Sequence, residues 1–134
     1  MLRRISTNFN KYSRNINSRY FSRTINIFDK KEYTKNEEWF YHTMESTKVG
    51  FTQKAIDELS DIIYIEYAFE KGDIVKENED MIIVESVKAT NSITAPYDLV
   101  VLGNNKDLEE DLTSLNENPE CVDNSWIIKI DKIL

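Results

Sequence analysis

The sequence predicts a single mainly-β domain, a sandwich or barrel of short strands carrying two short helices. Three observations lead there. Runs rich in Val, Ile, Tyr and Phe recur at short intervals, separated by Gly, Pro, Asn or Asp positions, which is the pattern of strands and turns. Only two segments space their apolar residues with the helical period. A chain of 134 residues buries enough apolar surface for one core and leaves no room for a second catalytic domain.

Taken in order, Glu38-Trp39-Phe40-Tyr41-His42-Thr43 reads as a strand, Glu45-Ser46 as a turn, and Thr47 to Phe51 as the returning strand of a first hairpin. Thr52 is positioned to cap a short helix, Gln53 to Leu59, whose Ala55, Ile56 and Leu59 share one face. The run from Ile62 to Tyr67 is apolar enough to predict a central strand covered on both sides. A Gly-containing turn at Glu70-Lys71-Gly72-Asp73 leads to a short strand at Ile74-Val75. Met81 to Val84 and Ser92 to Ala95 then form a second hairpin with Lys88 at its turn, and Pro96 stops it. Leu99 to Leu102 is a further strand, ended by Gly103-Asn104-Asn105. Leu108, Leu112 and Leu115 predict a second helix from Asp107 to Leu115, its acidic residues Asp107, Glu109, Glu110 and Asp111 lying where the helix dipole favours them. Trp126 to Ile130 closes the domain as an alternating strand, with Trp126, Ile128 and Ile130 on one side.

Charge divides the chain sharply. The net charge is −7, yet every Arg (Arg3, Arg4, Arg14, Arg19 and Arg23) lies near the N-terminus and no acidic residue precedes Asp29. Residues 1 to about 28 are Arg-, Ser- and Asn-rich with scattered Leu2, Ile5, Phe9, Ile16 and Phe21, the composition of an organellar transit peptide. Arg19-Tyr20-Phe21-Ser22 resembles a processing site of the mitochondrial matrix, with the cut after Phe21. The competing reading is a basic nucleic-acid-binding arm; the rest of the chain, which would repel phosphates, argues against it. Three segments are therefore expected: residues 1–21 as a mitochondrial transit peptide, 22–32 as a linker and 33–134 as the functional domain. Removing residues 1–21 leaves twelve basic residues against 24 acidic ones, a net −12 suited to basic partner surfaces.

Several chemistries are excluded. Cys121 is the one cysteine and His42 the one histidine, so no intrachain disulfide, multi-histidine metal site or cysteine-ligated cluster can form. His42 sits in the aromatic run Trp39-Phe40-Tyr41 and reads as a strand-surface residue rather than a catalyst. No apolar stretch approaches the roughly 20 residues needed to cross a bilayer as a helix.

Lys88 stands at the turn of the second hairpin. A lysine at a hairpin apex can be reached from most directions by another enzyme, and acylating it leaves the fold intact. The sequence Glu85-Ser86-Val87-Lys88-Ala89 resembles the lipoate-bearing segment of the glycine cleavage system H proteins. Other blocks resemble that family in the same order: Tyr33-Thr34-Lys35-Asn36-Glu37-Glu38-Trp39, Val49-Gly50-Phe51-Thr52-Gln53-Lys54-Ala55, Asp61 to Glu66, Lys71 to Val75, and Asn118 to Trp126. The chain departs from the family where glycines are usual, at Ser60 between Leu59 and Asp61 and at Tyr97-Asp98 after Pro96.

The resemblance implies the lipoyl/biotinyl-carrier fold, a barrel-sandwich hybrid of two antiparallel sheets with the modified lysine on a protruding hairpin. It implies lipoate attached covalently to Lys88, with Glu85, Ser86, Val87 and Ala89 as the context read by the attaching enzyme. Biotin carriers place Met on both sides of the lysine, whereas Val87 and Ala89 flank it here, which favours lipoate. Glu38 matches the family glutamate bordering the cleft that receives the amine-loaded arm, although the adjacent family histidine is Glu37 here. The expected role is a non-catalytic, monomeric carrier in the mitochondrial matrix, active in glycine catabolism and one-carbon metabolism. Its partners would be glycine decarboxylase, the folate-dependent aminomethyltransferase, dihydrolipoamide dehydrogenase, and a lipoate ligase or transferase, with no nucleic acid and no membrane. Two alternatives stand beside it: an H-like protein relaying lipoate to other acceptors, and an unmodified docking module.

Overall fold

The computed structural model describes residues 29–133. The expected transit peptide and most of the expected linker lie outside the described residues. In chain order the elements are β1 (Lys30–Tyr33), β2 (Glu38–His42), β3 (Thr47–Phe51), α1 (Gln53–Leu59), β4 (Ile62–Tyr67), β5 (Ile74–Val75), β6 (Asp80–Ser86), β7 (Thr90–Thr94), β8 (Leu99–Asn104), α2 (Asp107–Glu110), α3 (Thr113–Glu117) and β9 (Ile128–Lys132). They build one six-stranded sheet in the order β1-β2-β3-β9-β8-β5 and one three-stranded sheet in the order β4-β6-β7. All strand pairs are antiparallel. This is the expected mainly-β sandwich of two antiparallel sheets.

Strand alternation sends one side of each sheet into a shared core. Val49, Ile128, Ile130 and Val101 of the larger sheet and Ile82, Val84 and Ile93 of the smaller one are fully buried in one apolar cluster. α1 closes one side of it with Ala55, Ile56 and Leu59, and its first turn is capped as expected, the Thr52 Oγ1 accepting from the Ala55 N–H at 3.2 Å. Trp39 anchors the first hairpin. Its buried indole lies across the backbone of Gly50, the residue opposite it in register, and donates to the Pro119 carbonyl at 2.9 Å. Only a residue without Cβ admits an indole at that approach.

The structure corrects four expectations. β4 is an edge strand rather than a central one. A bulge between Ile62 and Tyr64 turns two successive apolar side chains outward, leaving Ile63 58% and Tyr64 51% exposed. The helix expected over Asp107 to Leu115 is two helices. Asp111 takes an extended conformation, and its Oδ1 accepts from the Thr113 N–H at 2.9 Å, the local side-chain bond that competes with a continuous helix. Leu108 and Leu115 still both reach the core. Trp126 lies before β9, beneath the ammonium groups of Lys48 and Lys129, while Ile127 takes a buried place of its own. Finally, β1 begins at Lys30, inside the expected linker, and pairs with β2 from Lys30↔His42 to Tyr33↔Trp39.

Candidate functional site

The β6–β7 hairpin places the central residue. On β6 the inward positions are Ile82, Val84 and Ser86, so Glu85 must point outward, and the chain reverses over Val87 and Lys88. The last strand pair is Glu85↔Thr90. Lys88 and Ala89 are exposed, and Val87 is 68% exposed. Ser86 differs from its neighbours in being only 8% exposed. Its Oγ donates to the Ala89 carbonyl at 2.9 Å and accepts from the backbone N–H groups of Ala89 at 3.0 Å and Lys88 at 3.3 Å. Lys88 forms no ion pair among the described residues.

Glu38 opens β2 opposite Phe51 and is 6% exposed. Its carboxylate accepts from the Thr34 hydroxyl at 3.4 Å. Burial pushes the carboxyl up to about 7, with the Thr34 bond opposing that shift in part. The group faces a cleft of about 320 Å³ lined by Asn36, Glu38, Phe51, Asn91, Ser92 and Thr94. Three of those residues belong to β7, the strand that leaves the Lys88 turn, so the fold joins the two expected site residues through one strand. Glu38 is the sole carboxylate among the lining residues. Glu37 takes no part; its side chain pairs with Lys54 at 3.5 Å, and its carbonyl accepts from the N–H and hydroxyl of Thr52.

The cleft's polar wall was not legible in advance. Asn91, Ser92 and Thr94 follow Lys88 without any distinguishing motif, and only the pairing of the two sheets sets them against Glu38. His42 lies on the strand surface as expected, its Nδ1 2.9 Å from Thr47 Oγ1. Among the described residues no group of His, Cys, Asp or Glu is arranged to hold a metal ion, and no helix is long and apolar enough to cross a membrane.

Residues 31–133 match the family model described as glycine cleavage H-protein. The chain belongs to the glycine cleavage H-protein family. It is 34% identical over 101 residues to the glycine cleavage system H protein of Listeria monocytogenes serotype 4b, covering 75% of this chain and 78% of that protein. To the corresponding protein of Dinoroseobacter shibae it is 37% identical over 98 residues, covering 73% and 78%. The crystal structure of a glycine cleavage system H protein from Mycobacterium marinum superposes with a TM-score of 0.66 at 22% identity, over 76% of this chain and 83% of that one. That is a likeness of fold. The chain carries an exposed lysine on the β6–β7 turn and a buried carboxyl at the start of β2.

Proposed function

We propose that this chain is a lipoyl carrier of the glycine cleavage system, holding lipoate on Lys88 and moving an aminomethyl group from glycine decarboxylase to the folate-dependent aminomethyltransferase. The observation that carries the reading is an exposed lysine at a hairpin apex whose outgoing strand lines a cleft containing a buried carboxyl. The residues fit the group. The Lys88 amine is open to acylation, and the cleft beside β7 offers amide and hydroxyl partners from Asn36, Asn91, Ser92 and Thr94. Lipoate held on Lys88 would supply a cyclic disulfide that can be opened reductively to carry a one-carbon amine, and the dithiol left after release would be reoxidised by dihydrolipoamide dehydrogenase.

The chain's own contribution is presentation and shelter. The hairpin holds Lys88 clear of the core, so partner enzymes reach it while the fold stays closed. Glu38, ionised above about pH 7, favours a cationic amine in the cleft by a charge-assisted hydrogen bond strengthened by partial desolvation. The acidic surface attracts partners with basic faces. Residues 1–21 direct import into the mitochondrial matrix and are then removed. The catalysis belongs to the partner enzymes.

Intact mass after coexpression with a lipoate ligase tests the reading, followed by glycine–bicarbonate exchange with glycine decarboxylase. One lipoyl addition on Lys88 and supported exchange are expected. No addition, or addition at another lysine, would overturn it; a lipoylated protein inactive in exchange would instead indicate relay of lipoate to other acceptors. N-terminal sequencing of mitochondrial protein checks the cut after Phe21.

A further inference from the structure

The turn that carries Lys88 has an unusual construction. Tight two-residue hairpin turns match the twist of their strands when one or both central residues take positive φ, which is why Gly and Asn dominate them. Here the central residues are Val87 and Lys88, and neither has positive φ; the non-glycine residues that do are Glu37, Ser60 and Asn78. A β-branched valine resists that conformation strongly. The turn must therefore be held by something other than its backbone preference.

Two side chains supply the hold. The Ser86 hydroxyl takes the part of its own carbonyl in the closing pair: it accepts from the Ala89 and Lys88 N–H groups and donates to the Ala89 carbonyl, which also accepts from the Ser86 N–H at 2.9 Å. One donor and two acceptor sites exhaust what a serine hydroxyl offers, so Ser86 has nothing left to present to another protein. From outside, Asn116 on α3 grips Ile62 as a neighbouring strand would. Its Oδ1 accepts from the Ile62 N–H at 2.8 Å and its Nδ2 donates to the Ile62 carbonyl at 3.1 Å. The preceding carbonyl, that of Asp61, accepts from the Val87 N–H at 3.0 Å. The apex is thus tied through β4 to a helix distant in sequence.

We infer that Ser86 and Asn116 are positioning residues for acylation of Lys88, holding the Val87-Lys88 turn in the one conformation that the attaching enzyme accepts. This rests on the carrier reading above and reassigns Ser86 from a residue read by that enzyme to one that shapes what is read. In the reaction, Lys88 Nζ bonds to the acyl carbon of an acyl-adenylate. The bond from that carbon to the phosphate oxygen breaks, AMP leaves with the electron pair, and the ammonium gives up two protons. The clamps touch none of these atoms; they set how often the amine is presented correctly. An enzyme that binds only the ordered turn has its apparent affinity reduced by the fraction of time the turn is disordered.

The test compares wild type, Ser86→Ala, Ser86→Thr and Asn116→Ala in two readouts: amide hydrogen exchange of the unmodified proteins, and steady-state lipoylation by a lipoate ligase with ATP and lipoate. Ser86→Ala should speed exchange at Lys88 and Ala89 and raise KM by about fivefold with kcat unchanged, the effect of one net hydrogen bond. Ser86→Thr, which keeps the hydroxyl, should restore both. Asn116→Ala should speed exchange at Val87 and raise KM in the same way. Unchanged exchange with impaired lipoylation would show that the enzyme contacts Ser86 directly, and faster exchange with an unchanged KM would show that order at the apex does not matter; either overturns the inference. A wild-type chain that takes no lipoate would remove the carrier reading itself, whereas normal modification of every variant would remove only the clamps.

Discussion

Replacing Glu38 by Gln tests the physical character of the cleft apart from any partner enzyme. Burial pushes the folded carboxyl up to about 7 against 4.5 when solvated, because a group only 6% exposed is denied most of the hydration its ionised form would draw on. The native state therefore holds its proton more tightly than the unfolded chain, so this group's contribution to stability is intact below about pH 4.5 and is lost as pH rises through 7. At about 1.36 kcal/mol per pH unit, the full displacement corresponds to about 3 kcal/mol. Between pH 5 and pH 8 the wild type should lose about 2.5 kcal/mol relative to Glu38→Gln. Glutamine keeps an oxygen for the Thr34 hydroxyl and cannot ionise. Urea unfolding of both unmodified proteins across that range measures the difference, in which contributions common to the two chains cancel. Parallel stability curves from pH 5 to pH 8 would refute the reasoning, showing that water or a structural change already compensates the buried charge.

Three further outcomes are expected. Lys88→Arg should melt within the roughly 0.5 kcal/mol typical of surface substitutions and yet accept no lipoate, because a guanidinium is not deprotonated for amide formation; a large loss of melting temperature or retained modification would contradict it. Ser60 ends α1 at φ 62°, ψ −159°, a region that is essentially glycine's. Relief of strain on the order of 1–3 kcal/mol, less glycine's entropy cost of about 0.5–1, means that Ser60→Gly should raise the melting temperature by about 4–8 °C. Gly50→Ala should do the opposite. Its Cβ would fall within the Trp39 indole, and displacing that packed ring costs on the order of 3 kcal/mol, visible as a melting temperature lower by about 10 °C or more.

The sequence by itself determined what depends on neighbours along the chain. β-Branched and aromatic composition located the strands of both hairpins, Thr52 marked the start of α1, and the match around Lys88 pointed to one exposed lysine out of many. These are local properties, so short-range chemistry decides them. The tertiary structure decided what depends on distant partners. Ile62 to Tyr67 has the composition of a central strand, and only its pairing with β6 alone, with a bulge, makes it an edge. Asp107 to Leu115 has the period of one helix, and only the bond from Thr113 to the Asp111 carboxylate breaks it in two. The resemblance sets Glu38 beside a cleft, and only the assembled fold supplies the facing wall of Asn91, Ser92 and Thr94 and buries the carboxyl. Burial belongs to the assembled sheets rather than to any residue, and a carboxyl's affinity for its proton follows the solvent it has lost.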